Sequence, residues 1–132
     1  MSWSGVKKQT NIENIKTWCE EMGIENYTIN SQDEIDVDGN VNLSGKDFKE
    51  LPYKFRIVTG YFSLSGCKYL ISLKNCPNFV RGAVSYSLCR KLDSLEGCPK
   101  EVGGYFYCRG CKRDFTKEEV RTLCEVSDHV YV

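Results

Sequence analysis

Between Ile35 and Phe115 the apolar positions of the chain recur in register. Val37, Val58, Val80 and Val102 each stand two residues before a glycine, and those glycines, Gly39, Gly60, Gly82 and Gly104, are 21, 22 and 22 residues apart. Val41, Phe62, Val84 and Phe106 stand two residues after them, and Leu43, Leu64, Tyr86 and Cys108 two residues further on. Large residues at a period of two mark a strand with one buried face, so each repeat opens with a strand whose valine, glycine and aromatic or aliphatic positions point inward. The inward glycine relieves crowding where a neighbouring backbone or ring comes close. In the two central repeats the strand is followed by Cys67, Leu70, Leu73, Cys76 and Pro77, then by Cys89, Leu92, Leu95, Cys98 and Pro99, at identical internal spacing. These leucines bury a return path against the sheet, and the proline ends it. The outer repeats are degraded. Lys46 takes the cysteine column in the first, ahead of Phe48, Leu51 and Pro52, and the last keeps Cys111 but departs at Asp114 and Phe115.

Helical spacing appears on either side of the repeats. Ile12, Ile15, Trp18, Cys19 and Met22 share one side of a helix over residues 11–23, with Asn11 as N-cap and Gly23 as the stop. Thr116-Lys117-Glu118-Glu119 reads as a capping box that opens a second, short helix with Val120, Leu123 and Cys124 on its apolar face. The tail His129-Val130-Tyr131-Val132 alternates and either adds a strand or packs over the last coil. The predicted fold is therefore an α+β solenoid within a single domain, 1–132. It has about four coils in residues 35–115, each contributing one strand to a parallel sheet. The helices are expected as caps at both ends, the second with the tail in 116–132.

Composition narrows the function classes. The 132 residues carry 18 basic and 18 acidic side chains, so no global field draws the protein to nucleic acid or to an anionic membrane. Residues 1–58 hold 7 basic and 10 acidic groups, and residues 59–132 hold 11 and 8, which places any anion-binding surface in the second half. No apolar run is long enough to span a bilayer, and MSWSGVKKQT lacks the pattern of a secretory signal, so a cytoplasmic location with free thiols is expected.

Eight cysteines invite a metal or redox reading, and Cys108-Arg-Gly-Cys111 is a C-x-x-C pair with Cys98 and Cys124 nearby in sequence. The repeat offers another account. Cys67, Cys89 and Cys111 share one column, Cys76 and Cys98 another, and Cys108 fills an inward strand position, all suited to a small buried hydrophobe. No metal or other cofactor is expected. His129 is the sole histidine, and nothing in the sequence sets it beside a nucleophile. Asp33, Glu34, Asp36 and Asp38 have the outline of a calcium loop but lack its downstream bidentate glutamate in register, and read as a solvated acidic edge.

The phrases NVNLSGKDFKELPYKF, LISLKNCPNFVRGAVSYSLC and LDSLEGCPKEVGGYFYC, together with IKTWCEEMGIENYTI near the N-terminus, resemble the leucine-rich-repeat-like proteins of T-even-type bacteriophages and some bacteria. Glycine within the strand and cysteine where asparagine often sits depart from the common leucine-rich consensus. The resemblance implies a solenoid and, for a phage, an accessory protein acting on a host component.

If valine, glycine and phenylalanine point inward, the intervening residues form the exposed sheet face. That face holds Asp38, Asn40 and Asn42, then Thr59, Tyr61 and Ser63, then Arg81, Ala83 and Ser85, and finally Gly103, Tyr105, Tyr107 and Arg109. It runs from acidic and polar to aromatic and basic, and tyrosine and arginine are the side chains most often found as interface anchors. No nucleophile, base and orienting group fall together, so no enzyme is expected. The expected function is binding of a host protein, such as a defence toxin or nuclease, through Asn40, Asn42, Tyr61, Ser63, Arg81, Ser85, Tyr105, Tyr107 and Arg109. The alternative is nucleic-acid binding through Arg81, Arg90, Lys91, Arg109, Lys112 and Arg113, with tyrosine stacking.

Overall fold

A computed structural model describes residues 3–132, with the backbone alone for residues 3–10. The reading of residues 1–10 as free of a secretory signal therefore lies outside the residues described in full. The chain is a β-solenoid of about four turns with parallel sheets and, among the described residues, two helices. Each coil contributes two short strands rather than the single strand expected from the alternation. β1 (Tyr27–Ile29) pairs antiparallel with β2 (Ile35–Val37), and β3 (Val41–Asn42) follows β2 across Gly39. Next come β4 (Phe55–Val58) and β5 (Phe62–Ser63), β6 (Phe79–Val80) and β7 (Val84–Ser85), then β8 (Glu101–Val102) and β9 (Phe106–Tyr107). β10 (Glu125–Val126) and β11 (Val130–Tyr131) complete the set. The first sheet runs β1-β2-β4-β6-β8-β10 and the second β11-β9-β7-β5-β3, parallel apart from β1.

The division falls at the glycine column, and stacking explains it. The Gly60 amide donates to the Gly39 carbonyl at 2.8 Å, Gly82 to Gly60 at 3.0 Å and Gly104 to Gly82 at 3.0 Å, so the four glycines form a continuous corner between the sheets. A Cβ on Gly82 would come within 2.7 Å of the Gly60 carbonyl oxygen, and one on Gly104 within 2.8 Å of the Gly82 carbonyl carbon. Gly60, Gly82 and Gly104 are thus required for space, not for an unusual backbone angle.

Inward columns on both sides of the corner form one core. Val37, Val58, Val80 and Val102 are buried on the first sheet, and Val41, Phe62, Val84 and Phe106 on the second. Leu70, Leu73, Leu92 and Leu95 close the core from the return segments. Edge-on ring contacts tie Phe55 to Phe62 at 5.4 Å and Tyr86 to Phe106 at 5.7 Å. Burying each such side chain favours folding by roughly 1.5–3 kcal/mol.

The column of Cys67, Cys89 and Cys111 has a backbone reason. Each thiol donates to a carbonyl of the preceding coil, Leu43, Leu64 and Tyr86 respectively, at 3.1–3.2 Å. A small apolar residue with a weak donor fills the turn and gives a second bond to carbonyls that each already accept a backbone amide of their own turn, from Lys46, Cys67 and Cys89 respectively.

Both helices differ from expectation. α1 spans Trp3–Glu21, so Asn11 lies inside the helix rather than at its N-cap, and its side chain donates to Asp33 at 2.8 Å. The stop at Gly23 has φ +72°, with the Gly23 and Ile24 amides bonded back to Glu20 and Cys19. Ile15 and Cys19 are buried, and Trp18 meets Phe48, Tyr53 and Phe55 at 5.6–6.0 Å. α2 spans Lys117–Leu123 and starts at Thr116, whose hydroxyl accepts from the Glu119 amide at 3.0 Å. Val120 is buried, but Leu123 is 48% exposed, so only part of the expected apolar face packs. α2 does not close the chain. It occupies a return segment, and the strands β10 and β11 that follow extend both sheets. Among the described residues no helix is long and apolar enough to cross a membrane.

Candidate interaction surface

The corner places the nine predicted site residues on more than one surface. Asn42, Ser63, Ser85 and Tyr107 occupy one outward column of the second sheet, paired in register along β3, β5, β7 and β9. Asn40, Tyr61, Ala83 and Tyr105 precede them, and Arg109 stands two residues past Tyr107. Arg81 lies on the other side of Gly82. With Ile57, Thr59, Phe79 and Gly103 it lines a groove of about 370 Å³ on the first sheet. The continuous face expected from alternation is therefore bent at the glycines, and Arg81 is separated from the rest.

Several of the polar members serve the backbone. Asn40 accepts from the Tyr61 amide at 2.9 Å and Asn42 from the Ser44 amide at 3.1 Å. Ser63 accepts from the Ser65 amide at 3.2 Å, and Ser85 from the Ser87 amide at 3.4 Å. Ser44 and Ser63 bond each other at 2.9 Å, and Ser65 bonds Ser85. Asparagine and serine recur here because short oxygen-bearing side chains close the turn two residues on.

Tyr107 breaks that rule. A phenol cannot reach the amide two residues on, and the Arg109 amide bonds instead to the Ser87 hydroxyl at 3.3 Å. Tyr107 stacks on Tyr131, its neighbour in β11, with centroids 4.9 Å apart and planes 9° from parallel. In the adjacent column Tyr105 stacks on His129 at 6.2 Å and 16°. Tyr105 also meets Tyr107 at 5.9 Å and Tyr131 at 5.8 Å, and the Arg109 guanidinium lies 5.5 Å from the Tyr131 centroid. Parallel pairing of two aromatic-rich strands thus builds a panel of four rings with one cation, each ring pair contributing about 0.5–1.5 kcal/mol beyond area burial. Asp128, followed by Tyr131, raises the Tyr105 phenol above its usual value. Beside the panel, Arg109, Lys117, His129 and Tyr131 line a recess of about 290 Å³. Tyr61 stands two rungs from Tyr105 with Ala83 between them, so it is not part of this panel.

His129 and Tyr131 were not among the predicted site residues. Their signal is present in the chain: Glu125-Val126-Ser127-Asp128-His129-Val130-Tyr131 repeats Glu101-Val102-Gly103-Gly104-Tyr105-Phe106-Tyr107 at a spacing of 24. α2 lengthens the return and shifts the period from 22, which hides the copy.

The other candidate chemistries are taken up by the fold. Burial pushes the thiols of Cys76, Cys89, Cys108 and Cys124 up to about 12 and those of Cys19 and Cys98 up to about 11, which keeps them protonated at neutral pH. The acidic stretch is divided among partners. Asp33 accepts from Asn11, Glu34 from Asn30, Asp36 from Arg56 at 2.5 and 2.9 Å, and Asp38 from Thr59. Of the basic residues, Lys112 lies 3.7 Å from Asp93, and Arg113 pairs with Glu119 at 2.7 Å, which also holds the Glu119 carboxyl below its usual value. No family model, curated protein or solved structure matches the chain.

Proposed function

We propose that the protein is a non-enzymatic, leucine-rich-repeat-like binding module that engages another protein through the Tyr105, Tyr107, Arg109, His129 and Tyr131 panel. In keeping with its resemblance to phage accessory proteins, the partner is a host factor, a defence toxin or nuclease, that it binds and inhibits in the host cytoplasm. The observation that carries this reading is the change of chemistry along one outward column. Where the fold needs small turn-closing side chains it has Asn42, Ser63 and Ser85, and where it does not it carries large stacked rings beside a cation. Rigid aromatic groups next to arginine offer contact area at low entropic cost, as interface anchors do. The absence of an enzymatic role is supported by the protonated, buried thiols and by His129, whose ring faces Tyr105 and lies 3.8 Å from Asp128.

Immobilised protein is challenged with host lysate beside the Tyr107→Ala/Tyr131→Ala double variant. A host protein retained by the parent and released by the variant, with an unchanged far-UV spectrum, is the expected result. Equal retention overturns the reading. Labelled single-stranded DNA at low salt tests the alternative, because free cations would bind its phosphates: of the basic residues expected for it, Lys112 and Arg113 are paired with carboxylates, while Arg90, Lys91 and Arg109 are not, among the described residues.

A further inference from the structure

Each strand of the second sheet, from β3 to β9, runs into a turn that passes through left-handed backbone. The residues there are Gly45 at φ +74°, Gly66 at +71°, Leu88 at +63° and Gly110 at +74°. Leucine is poorly suited to that region, since its Cβ crowds the following carbonyl. The other non-glycine residues with positive φ are Asn26, Asp33 and Asn75, types that adopt it more readily. Two of them have compensating bonds: the Asn75 amide donates to the Leu51 carbonyl at 2.8 Å, and Asp33 accepts from Asn11 at 2.8 Å. Leu88 has no polar atom to make such a bond. Nor does burial compensate, because 50% of the residue is exposed. Its side chain leans over the backbone of Gly110, where an added Cβ would lie 2.8 Å from Leu88 Cδ2.

A left-handed backbone that leaves half of a leucine exposed points to something outside the fold. The surroundings indicate what that is. Leu88 donates its amide to the Arg109 carbonyl at 2.7 Å, which sets it beside the basic end of the panel, and Arg90 and Lys91 follow it in sequence. The Lys91 ammonium sits 5.3 Å from the exposed Tyr69 ring, and among the described residues no carboxylate bonds to the side chains of Arg90, Lys91 or Arg109. We propose that Leu88 is an apolar anchor of the interaction surface, entering an apolar pocket on the protein partner that is rimmed by carboxylates. The assignment rests on the protein-binding reading above and extends the panel to a residue on the neighbouring turn.

Leu88→Gly tests it, because the change installs the residue carried by the three equivalent turns. The variant should melt about 3 °C higher than the parent, while retention of the host partner falls at least tenfold. Leu88→Asn, which tolerates the same φ, should lose retention equally. Retention by the parent should also weaken as salt rises from about 0.05 to 0.5 M, as a charged rim requires. A lower melting temperature for Leu88→Gly assigns Leu88 to the fold and overturns the proposal, as does undiminished retention or binding indifferent to salt. If Tyr107→Ala/Tyr131→Ala abolishes retention and Leu88→Gly does not, the anchor fails and the panel stands. If only Leu88→Gly abolishes it, the panel fails and the anchor stands. If neither has an effect, both fail.

Discussion

Replacing Gly82 with alanine tests the stacked corner directly. The new methyl carbon would lie 2.7 Å from the Gly60 carbonyl oxygen, 2.8 Å from its carbon and 3.0 Å from the Tyr61 nitrogen, all backbone atoms with no rotamer to escape into. Restoring ordinary contact requires the coils to part by roughly half an ångström, which stretches a 3.0 Å hydrogen bond to the limit of a useful one. The adjoining bond from Gly104 to Gly82, also 3.0 Å, is drawn into the same distortion. Overpacking strain of about 1–3 kcal/mol and weakening of two bonds worth about 1 kcal/mol each give an expected loss of about 3 kcal/mol. Gly45→Ala is the matched control. That position has φ +74° but nothing within 4 Å of an added Cβ, so only the backbone conformation is penalised, by about 1 kcal/mol. Urea titration followed by far-UV circular dichroism gives both values, and heating should show Gly82→Ala melting about 10 °C below the parent. A Gly82→Ala loss no greater than that of Gly45→Ala would refute the stacking argument.

Two further expectations concern the thiol-rich core. Because burial holds Cys76, Cys89, Cys108 and Cys124 near 12 against an ordinary 9.0, the unfolded chain releases these protons at lower pH than the folded one. Stability is therefore complete below about pH 9 and declines from there towards about 12, with several groups acting together; a urea midpoint that stays constant between these limits would contradict the burial. The Tyr86 hydroxyl is fully buried beside the Cys76 thiol without a bonding partner of normal geometry, and burial pushes its phenol well up. Tyr86→Phe removes only that oxygen and should leave stability unchanged or raise it by about 1 kcal/mol, whereas a clear fall in the urea midpoint would show that the hydroxyl is satisfied.

The period of the coils, their inward columns and the role of cysteine as core were legible because each depends on local side-chain alternation, which burial imposes residue by residue. The corner at the glycines was not, because a bent strand pair keeps the same alternation of inward and outward side chains as a straight strand. Val37, Gly39 and Val41 read alike in both cases, and the difference lies in hydrogen bonds from Gly60 to Gly39 that connect different coils. The start of α1 was misplaced for a related reason: Asn11 is a residue type that favours a cap, but tertiary contact with Asp33 uses it inside the helix. The tail was obscured because α2 changed the repeat length just before β10 and β11.

The candidate surface was legible in part, and the missing part follows from treating every outward residue alike. Asn42, Ser63 and Ser85 are outward, yet each accepts a backbone amide two residues on, so their recurrence records what the turn needs. Glycine at 45, 66 and 110 records the left-handed backbone in the same way. A solenoid repeats whatever its fold requires, so positions that obey the repeat carry information about folding. Positions that break it without being forced to by the end of the array carry information about something else. Tyr107 replaces a turn-closing serine and Leu88 replaces a left-handed glycine, and Arg109 lies next to both departures, its carbonyl accepting from the Leu88 amide and its guanidinium lying over Tyr131, the ring that stacks on Tyr107. On the proposed reading, departure from the repeat at Tyr107, and departure with a backbone penalty at Leu88, are what set the candidate surface apart from merely exposed positions.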